Sequence, residues 1–377
     1  MDPLQQAIAF SGPAFYFLFI FLGFYVVLSD IIPSASFRKS SPVAKVYGCL
    51  AFASFLHTFA WIILDLKWSY ENFYNSVNYT VVGSQMDKIA HWLDRTALFK
   101  EAWMHGYDGI FNHWWLENLC IFAAGAWTVF LVSEGRRKKI PHLWAYMIIA
   151  ELVAVSTASC LFYLALSLQA IKLKPIPHKK NDDDINAVLP PEDDATVPLM
   201  LTIPVLLALF TVSIRPDPSS PDFLLNIIVL HVLCLVPTLP APLWTTRPSA
   251  LNVPVLTVYF AITAMAFVLR LQSTMAAVSS LDTVGIVEFV QEAANAMHSH
   301  PAMATFAWDT IWTTAAWCIW NVIGDGTEGP NLQSLIPLLS FSAGFGVSMS
   351  APMTLGNVIE ELTSKEETKF QGQPVDN

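Results

Sequence analysis

Apolar residues along this chain come in long blocks separated by short polar breaks. The blocks run near 11–32, 43–66, 113–133, 142–169, 197–214, 222–241, 253–275, 302–323 and 333–354. Roughly 20 apolar residues carry a helix across the hydrocarbon core of a bilayer, and most of these blocks reach that length. The block at 197–214 is short, and the one at 222–241 is interrupted by Pro237, Pro240 and Pro242. About eight transmembrane helices are therefore expected, with about seven and nine as bounds. Membrane strands would show as ~10-residue alternating segments, and none is visible. The pattern predicts an all-α, polytopic membrane helical bundle. It forms a single domain over 1–355, with a loop or lid at 67–112, an acidic loop at 171–196 and a polar tail at 356–377.

Composition agrees. The 377 residues are 54% hydrophobic and only 13% charged, with a mean hydropathy of +0.48. One soluble core cannot absorb that much apolar surface. Charge then sets an orientation. Arg38, Lys39 and Lys45 lie between the first two blocks, and Arg136, Arg137, Lys138 and Lys139 between the third and fourth. Short loops rich in Lys and Arg stay cytoplasmic. The N-terminus and the 67–112 loop are then lumenal, and that loop carries Asn78-Tyr79-Thr80, a glycosylation acceptor pattern. No basic stretch precedes the first block, so it is expected to be a retained helix and not a cleaved signal. An endoplasmic reticulum membrane is the expected location.

The net charge of −10 falls outside the blocks, much of it in "KKNDDDINAVLPPEDD" (179–194) and in the tail. That acidity argues against nucleic acid as a partner and leaves membrane lipid and small molecules. Cys49, Cys120, Cys160, Cys234 and Cys318 all sit in apolar blocks without CxxC spacing. Neither a zinc site nor a disulfide framework is indicated. Walker loops, GxGxxG, nucleophile elbows and histidine boxes are absent. "DDDIN" (182–186) has the look of a magnesium-diphosphate motif but lies in the Pro-flanked acidic loop, where it reads as solvated chain.

The exceptions inside the blocks carry the chemistry. A charged side chain at mid-bilayer costs roughly 2.5–3.5 kcal/mol even on the lenient insertion scale, so such residues face the bundle interior and mark sites. A packing hydrogen bond between helices is the plainer alternative. Three acids stand out: Glu117 with Asn118 in "HWWLENLCIF", Glu151 in the fourth block, and Asp309 in "FAWDTIWTTAAWCIW". Helical spacing places His113 and Trp114 with Glu117, and Phe306, Trp312 and Trp320 with Asp309. The companions of Glu151 are aliphatic. Four of the 13 tryptophans fall between 308 and 320, away from the helix ends where interface belts put them. His57 and His231 read as packing hydrogen-bonders, and Asp65 and Arg270 as side chains that snorkel to the interface. Trp115 points away from Glu117, toward the headgroups. "EAWMHGYDGIFNH" adds Glu101, His105, Asp108 and His113, a spacing that fits no metal pattern and reads as a lid over a pocket.

Acids among indole rings suit carbocation chemistry. Such a site needs a proton donor, aromatic faces worth ~2 kcal/mol or more each when desolvated, and a base for the last proton. The stretches "HWWLENLCIF" (113–122), "EGRRKKIPHLWAYMIIAELVAVSTASCLFYLAL" (134–166) and "FAWDTIWTTAAWCIW" (306–320) resemble the fungal integral-membrane terpene cyclases of meroterpenoid biosynthesis, of the ascochlorin, ascofuranone and macrophorin type. The resemblance implies protonation of a terminal epoxide or olefin on a farnesyl chain attached to an aromatic or polyketide unit. It implies no metal or organic cofactor, and a pathway prenyltransferase and epoxidase as neighbours. It also implies one Glu and one Asp as the catalytic pair: Glu117 and Asp309, with Glu151 third. Two other classes fit intramembrane acids as well: a proton-coupled exporter of small apolar metabolites, and a sterol or lipid binder or sterol isomerase.

Overall fold

The computed structural model describes residues 2–32, 41–76, 83–173, 196–240, 252–326, 331, 333 and 335–355. Asn78, the acidic stretch 179–194 and the tail 356–377 lie outside the described residues. The architecture is all-α, as the hydropathy pattern predicts. In chain order the helices are α1 (Pro3–Ile31), α2 (Pro42–Ser76), α3 (Gln85–Arg95), α4 (Leu98–Tyr107), α5 (Ile110–Phe122), α6 (Thr128–Arg137), α7 (Leu143–Leu152) and α8 (Val155–Leu173). They continue with α9 (Leu199–Ile214), α10 (Phe223–Leu235), α11 (Val255–Ser279), α12 (Ile286–Met297), α13 (Pro301–Ile323) and α14 (Leu335–Phe345). A π-helical turn at Ala123–Trp127 makes α5 and α6 one continuous unit. Two short strands, β1 (Thr196–Pro198) and β2 (Asn252–Pro254), pair antiparallel with Val197 opposite Val253.

Four of these units are long and apolar enough to cross a membrane: α1, α2, Ile110–Arg137 and α11. The shorter apolar helices α7 to α10 pack among them. On α1 and α2 the large apolar side chains point outward, Phe21, Tyr25, Phe52 and Leu56 among them. That is how a bundle meets lipid and not water. On α12 the residues Ile286, Val287 and Val290 are exposed while Ala293 and Met297 pack inward. Such a two-sided helix suits the plane of a membrane surface.

At the centre stands α8. Every residue from Val155 to Leu168 is buried, and α2, α7 and α13 pack around it. Its first turn is built from Ser156, Thr157, Ala158 and Ser159, small enough for neighbouring backbones to come close. Ser54 of α2 and Thr157 share a hydrogen bond of 3.2 Å. The uninterrupted span expected at 142–169 is in fact broken ahead of α8. The amides of Val153 and Ala154 both donate to Ile149 O, and the chain restarts as helix at Val155. The Leu152 carbonyl freed by this break accepts from Tyr16 Oη at 2.6 Å.

A second break falls at Gly346, whose φ of +87° favours a residue without a Cβ. A Cβ there would also overlap the Asn118 carboxamide, whose Oδ1 accepts from Ser348 N at 3.2 Å. Gly346→Ala is expected to destabilise the protein by about 1–3 kcal/mol through the positive φ alone. Gly12→Ala, where an added Cβ meets nothing within 4 Å, should leave it unchanged or slightly more stable. Thermal unfolding in detergent, followed by size-exclusion of a fluorescent fusion, checks the contrast.

Candidate functional site

The three acids expected to form a site sit in three different environments. Glu117 is 1% exposed. Its Oε1 accepts from Arg215 Nη2 at 2.7 Å, and Arg270 Nη1 lies 3.6 Å from Oε2. Two guanidinium groups thus stand beside one carboxyl group. Arg270 was expected to snorkel, yet it too is 1% exposed. Its Nη1 donates to the Trp114 carbonyl at 2.7 Å, and its guanidinium covers the Trp114 ring at 4.7 Å. The snorkelling reading fails because α5 and α11 meet along their length. That contact supplies a carboxylate, a carbonyl and a ring face where sequence position suggests only lipid.

Asp309 is 4% exposed and lies on α13. Its Oδ2 accepts from Val155 N and its Oδ1 from Ser156 N, both at 2.8 Å. Thr313 Oγ1 adds a longer contact of 3.5 Å to Oδ1. The carboxylate thus covers the free amides at the N-terminus of α8, where the helix dipole also favours negative charge. The partners of Glu117 and those of Asp309 have no residue in common. Glu151, at the end of α7, has its Oε1 buried without a hydrogen-bond partner among the described residues.

The aromatic candidates are likewise distributed. Trp114 Nε1 donates to Thr274 Oγ1 at 3.1 Å. Trp115 was expected to reach for headgroups; its Nε1 donates to Ala293 O at 2.9 Å, tying α5 to α12. His113 meets Tyr107 edge-on at 5.4 Å. Trp312 Nε1 donates to His57 Nδ1 at 2.9 Å, the packing role expected of that histidine. Trp320 stacks on Tyr163 at 4.7 Å, and Phe306 lies 5.2 Å from Trp103. These contacts fasten helices to one another.

A cavity of about 700 Å³ lies elsewhere, between the C-terminal end of α2, the 95–108 segment and Pro218. Its wall includes Trp68, Phe73, Glu101, Met104 and His105, with Arg95 and Lys100 supplying positive charge. Glu101 is held in place: its Oε2 accepts from Ser69 Oγ at 2.5 Å, and that oxygen accepts from Trp92 Nε1 at 3.2 Å. α4 seats closely because Gly106 has no Cβ to strike Leu116, 2.7 Å from where it would stand. Behind the wall, the His105 and His300 rings stack at 3.5 Å and 15°. Trp68 meets His300 edge-on at 4.0 Å, and Asp65 Oδ1 is 3.7 Å from His300 Nδ1.

The polar groups of 101–113 stood out in the sequence, where 67–112 was expected as a loop or lid; the structure forms the stretch as the end of α2, α3, α4 and the start of α5. The partners it would close upon, Asp65, Trp68 and His300, did not stand out. Their signal was the helical spacing of His57, Trp61, Asp65 and Trp68 along one side of α2.

A family model described as a protein of unknown function, DUF2834, matches residues 113–167. That stretch includes Glu117, Asn118, Glu151 and the two amides that Asp309 covers. No curated protein and no solved structure matches the chain.

If the deep acids hold the bundle together, their substitutions should lower the amount of folded protein. Asp309→Ala uncovers two buried amides, at roughly 1–3 kcal/mol for each unpaired group, and Asp309→Asn should cost less because its oxygen can still accept. Glu117→Gln leaves the buried Arg270 guanidinium without this countercharge, and about 3–5 kcal/mol is expected. Folded yield and melting temperature in detergent measure both.

Proposed function

We propose that this chain is a membrane-bound terpene cyclase. It protonates the terminal epoxide or olefin of a farnesyl chain carried on an aromatic or polyketide unit, and the resulting cation closes the ring. The observation that supports this reading is the 700 Å³ cavity walled by a fixed carboxyl group, an imidazole and aromatic faces. Its volume lies within the ~300–1,000 Å³ usual for small-molecule sites. Trp68 and Phe73 offer ring faces to a cationic chain, while Arg95 and Lys100 suit a phenolic or carboxylated head.

Glu101 is the acid that the geometry favours. It lines the cavity, whereas Glu117 and Asp309 are committed to arginines and to helix amides. One oxygen of Glu101 is oriented by Ser69, and the other can carry the proton that is delivered. Protonation of an epoxide oxygen weakens its C–O bond. The neighbouring double bond attacks the opening carbon, a C–C bond forms, and positive charge moves along the chain. Loss of a proton gives a product isomeric with the substrate, so the proton is returned and no redox partner is consumed. Sequence resemblance and apolar architecture point the same way.

Microsomes from yeast expressing the chain should convert at least one member of a panel of epoxyfarnesyl and farnesyl phenols into an isomer of unchanged mass. Glu101→Gln should lower that rate by roughly 10²- to 10⁴-fold, the range expected for a general acid, without loss of folded protein. Absence of any isomer with the intact protein across the panel would sink the proposal. Uptake into vesicles driven by a proton gradient would replace it with the exporter reading.

A further inference from the structure

We infer that the stacked His105–His300 pair is the base of this cavity, with His105 taking the final proton and His300 and Asp65 positioning it. The inference rests on the cyclase reading and extends it to the terminating step. A cyclising cation ends in an olefin only if a base removes a proton; otherwise water captures it as an alcohol. His105 lines the cavity, four residues beyond Glu101 on α4. At that spacing two side chains share one face of a helix, so proton donor and proton acceptor stand side by side.

The ring behind it is built in an unusual way. His300 is 9% exposed, and its Nδ1 accepts from Ala302 N at 3.2 Å, which assigns its ring proton to Nε2. That Nε2 is buried without a hydrogen-bond partner among the described residues. A protein does not keep a buried donor unpaired without cost, and this one belongs to a ring stacked on a cavity-wall imidazole. Trp68 fixes both rings edge-on, at 5.3 Å from His105 and 4.0 Å from His300.

Both rings are held neutral. Burial pushes the His300 imidazole down to about 4, helped by the neighbouring His105. Burial also lowers His105 from its ordinary value, against the opposing pull of Glu101 and Asp108. A neutral His105 has the lone pair a base requires. The groups facing the pair are Asp65 from α2, Glu101 and Lys100 from α4, Asp108 just past its end, and Arg95 at the end of α3. Three of these are acids, able to steady an imidazolium once it forms.

In the step itself, a C–H bond beside the cationic carbon breaks and its electron pair becomes the new C=C bond. The proton passes to the His105 nitrogen, and transfer to Glu101 one turn away resets the site. Nothing is oxidised or reduced, and protons balance over the cycle.

The test uses the full chain in microsomes with an epoxyfarnesyl phenol that the intact protein cyclises. His105→Gln should lower olefin formation at least 10-fold and raise the share of water-captured alcohol. His105→Ala should recover part of its rate with added imidazole. His300→Gln should move the acid limb of the pH–rate profile, a change that a purely structural loss would not produce. In the intact protein the rate should fall as pH drops through a value below the ordinary histidine 6.5, because His105 then becomes protonated. A His105→Gln variant with normal olefin output, or a wild-type rate flat from pH 5 to 7, overturns the inference while leaving the cyclase reading in place. If the intact protein forms no isomer, the cyclase reading itself has failed.

Discussion

The first amides of α8 set the constraint on which this bundle depends. A helix that starts inside a membrane protein exposes amides that neither water nor lipid can satisfy. Here the Asp309 carboxylate covers those of Val155 and Ser156. A half-helix N-terminus is also where transporters bind anionic substrates, but this one is closed by the chain itself. Since α8 is buried from Val155 to Leu168 and packed by α2, α7 and α13, the contact fixes four helices at once. Tyr16 completes the joint from the other side by donating to Leu152 O. The break therefore leaves neither those two amides nor that carbonyl bare.

Environment sorts the acids into two kinds of work. In the interior, Glu117 and Asp309 hold the fold, one beside guanidinium groups and the other on a helix end. Removing either carboxyl group would leave the buried Arg270 guanidinium or the amides of Val155 and Ser156 without that acceptor. At the cavity the balance differs. Glu101 accepts from the Ser69 hydroxyl and lines the cavity, apart from the helix ends and arginines that engage the other two acids. A carboxyl deep in a membrane protein is thus a weaker indication of catalysis than its burial cost implies. The partner it meets decides.

Apolar block length made most of the helices legible. The blocks at 43–66 and 302–323 each fall within one helix of the structure, and those at 11–32 and 253–275 do so but for Ile32 and for Val253 and Pro254. The break between α7 and α8 was not legible, because "AELVAVSTAS" contains neither Pro nor Gly. What stops the helix is tied to a carboxylate 154 residues further on, and periodicity does not register a contact of that range. The burial of Arg270 was hidden for the same reason. Of the cavity, the sequence displayed one wall: Glu101, His105 and Asp108 stood out as polar residues ahead of an apolar run. The opposite wall comes from the end of α2 and from Pro218, and where α2 stands depends on its packing against α8.

The cavity's position follows from the same packing and bears on what it can admit. α2 continues past the length a bilayer needs, and its last turns, with Trp68 and Phe73, form the wall. The site then sits at the edge of the apolar region, with Arg95 and Lys100 on one side and ring faces on the other. A molecule with a long apolar chain and a polar aromatic head already lies in that orientation in a leaflet, with its head at the interface and its chain in hydrocarbon. A site deep in the bundle would have to strip water from the head, whereas a site at the edge has to enclose only the chain. The short helix α4, seated through Gly106 and carrying both Glu101 and His105, is the element that encloses it. Glu101 and His105 share that one element, so the proposed acid and base stand apart from the central helices whose charged contacts hold the bundle together.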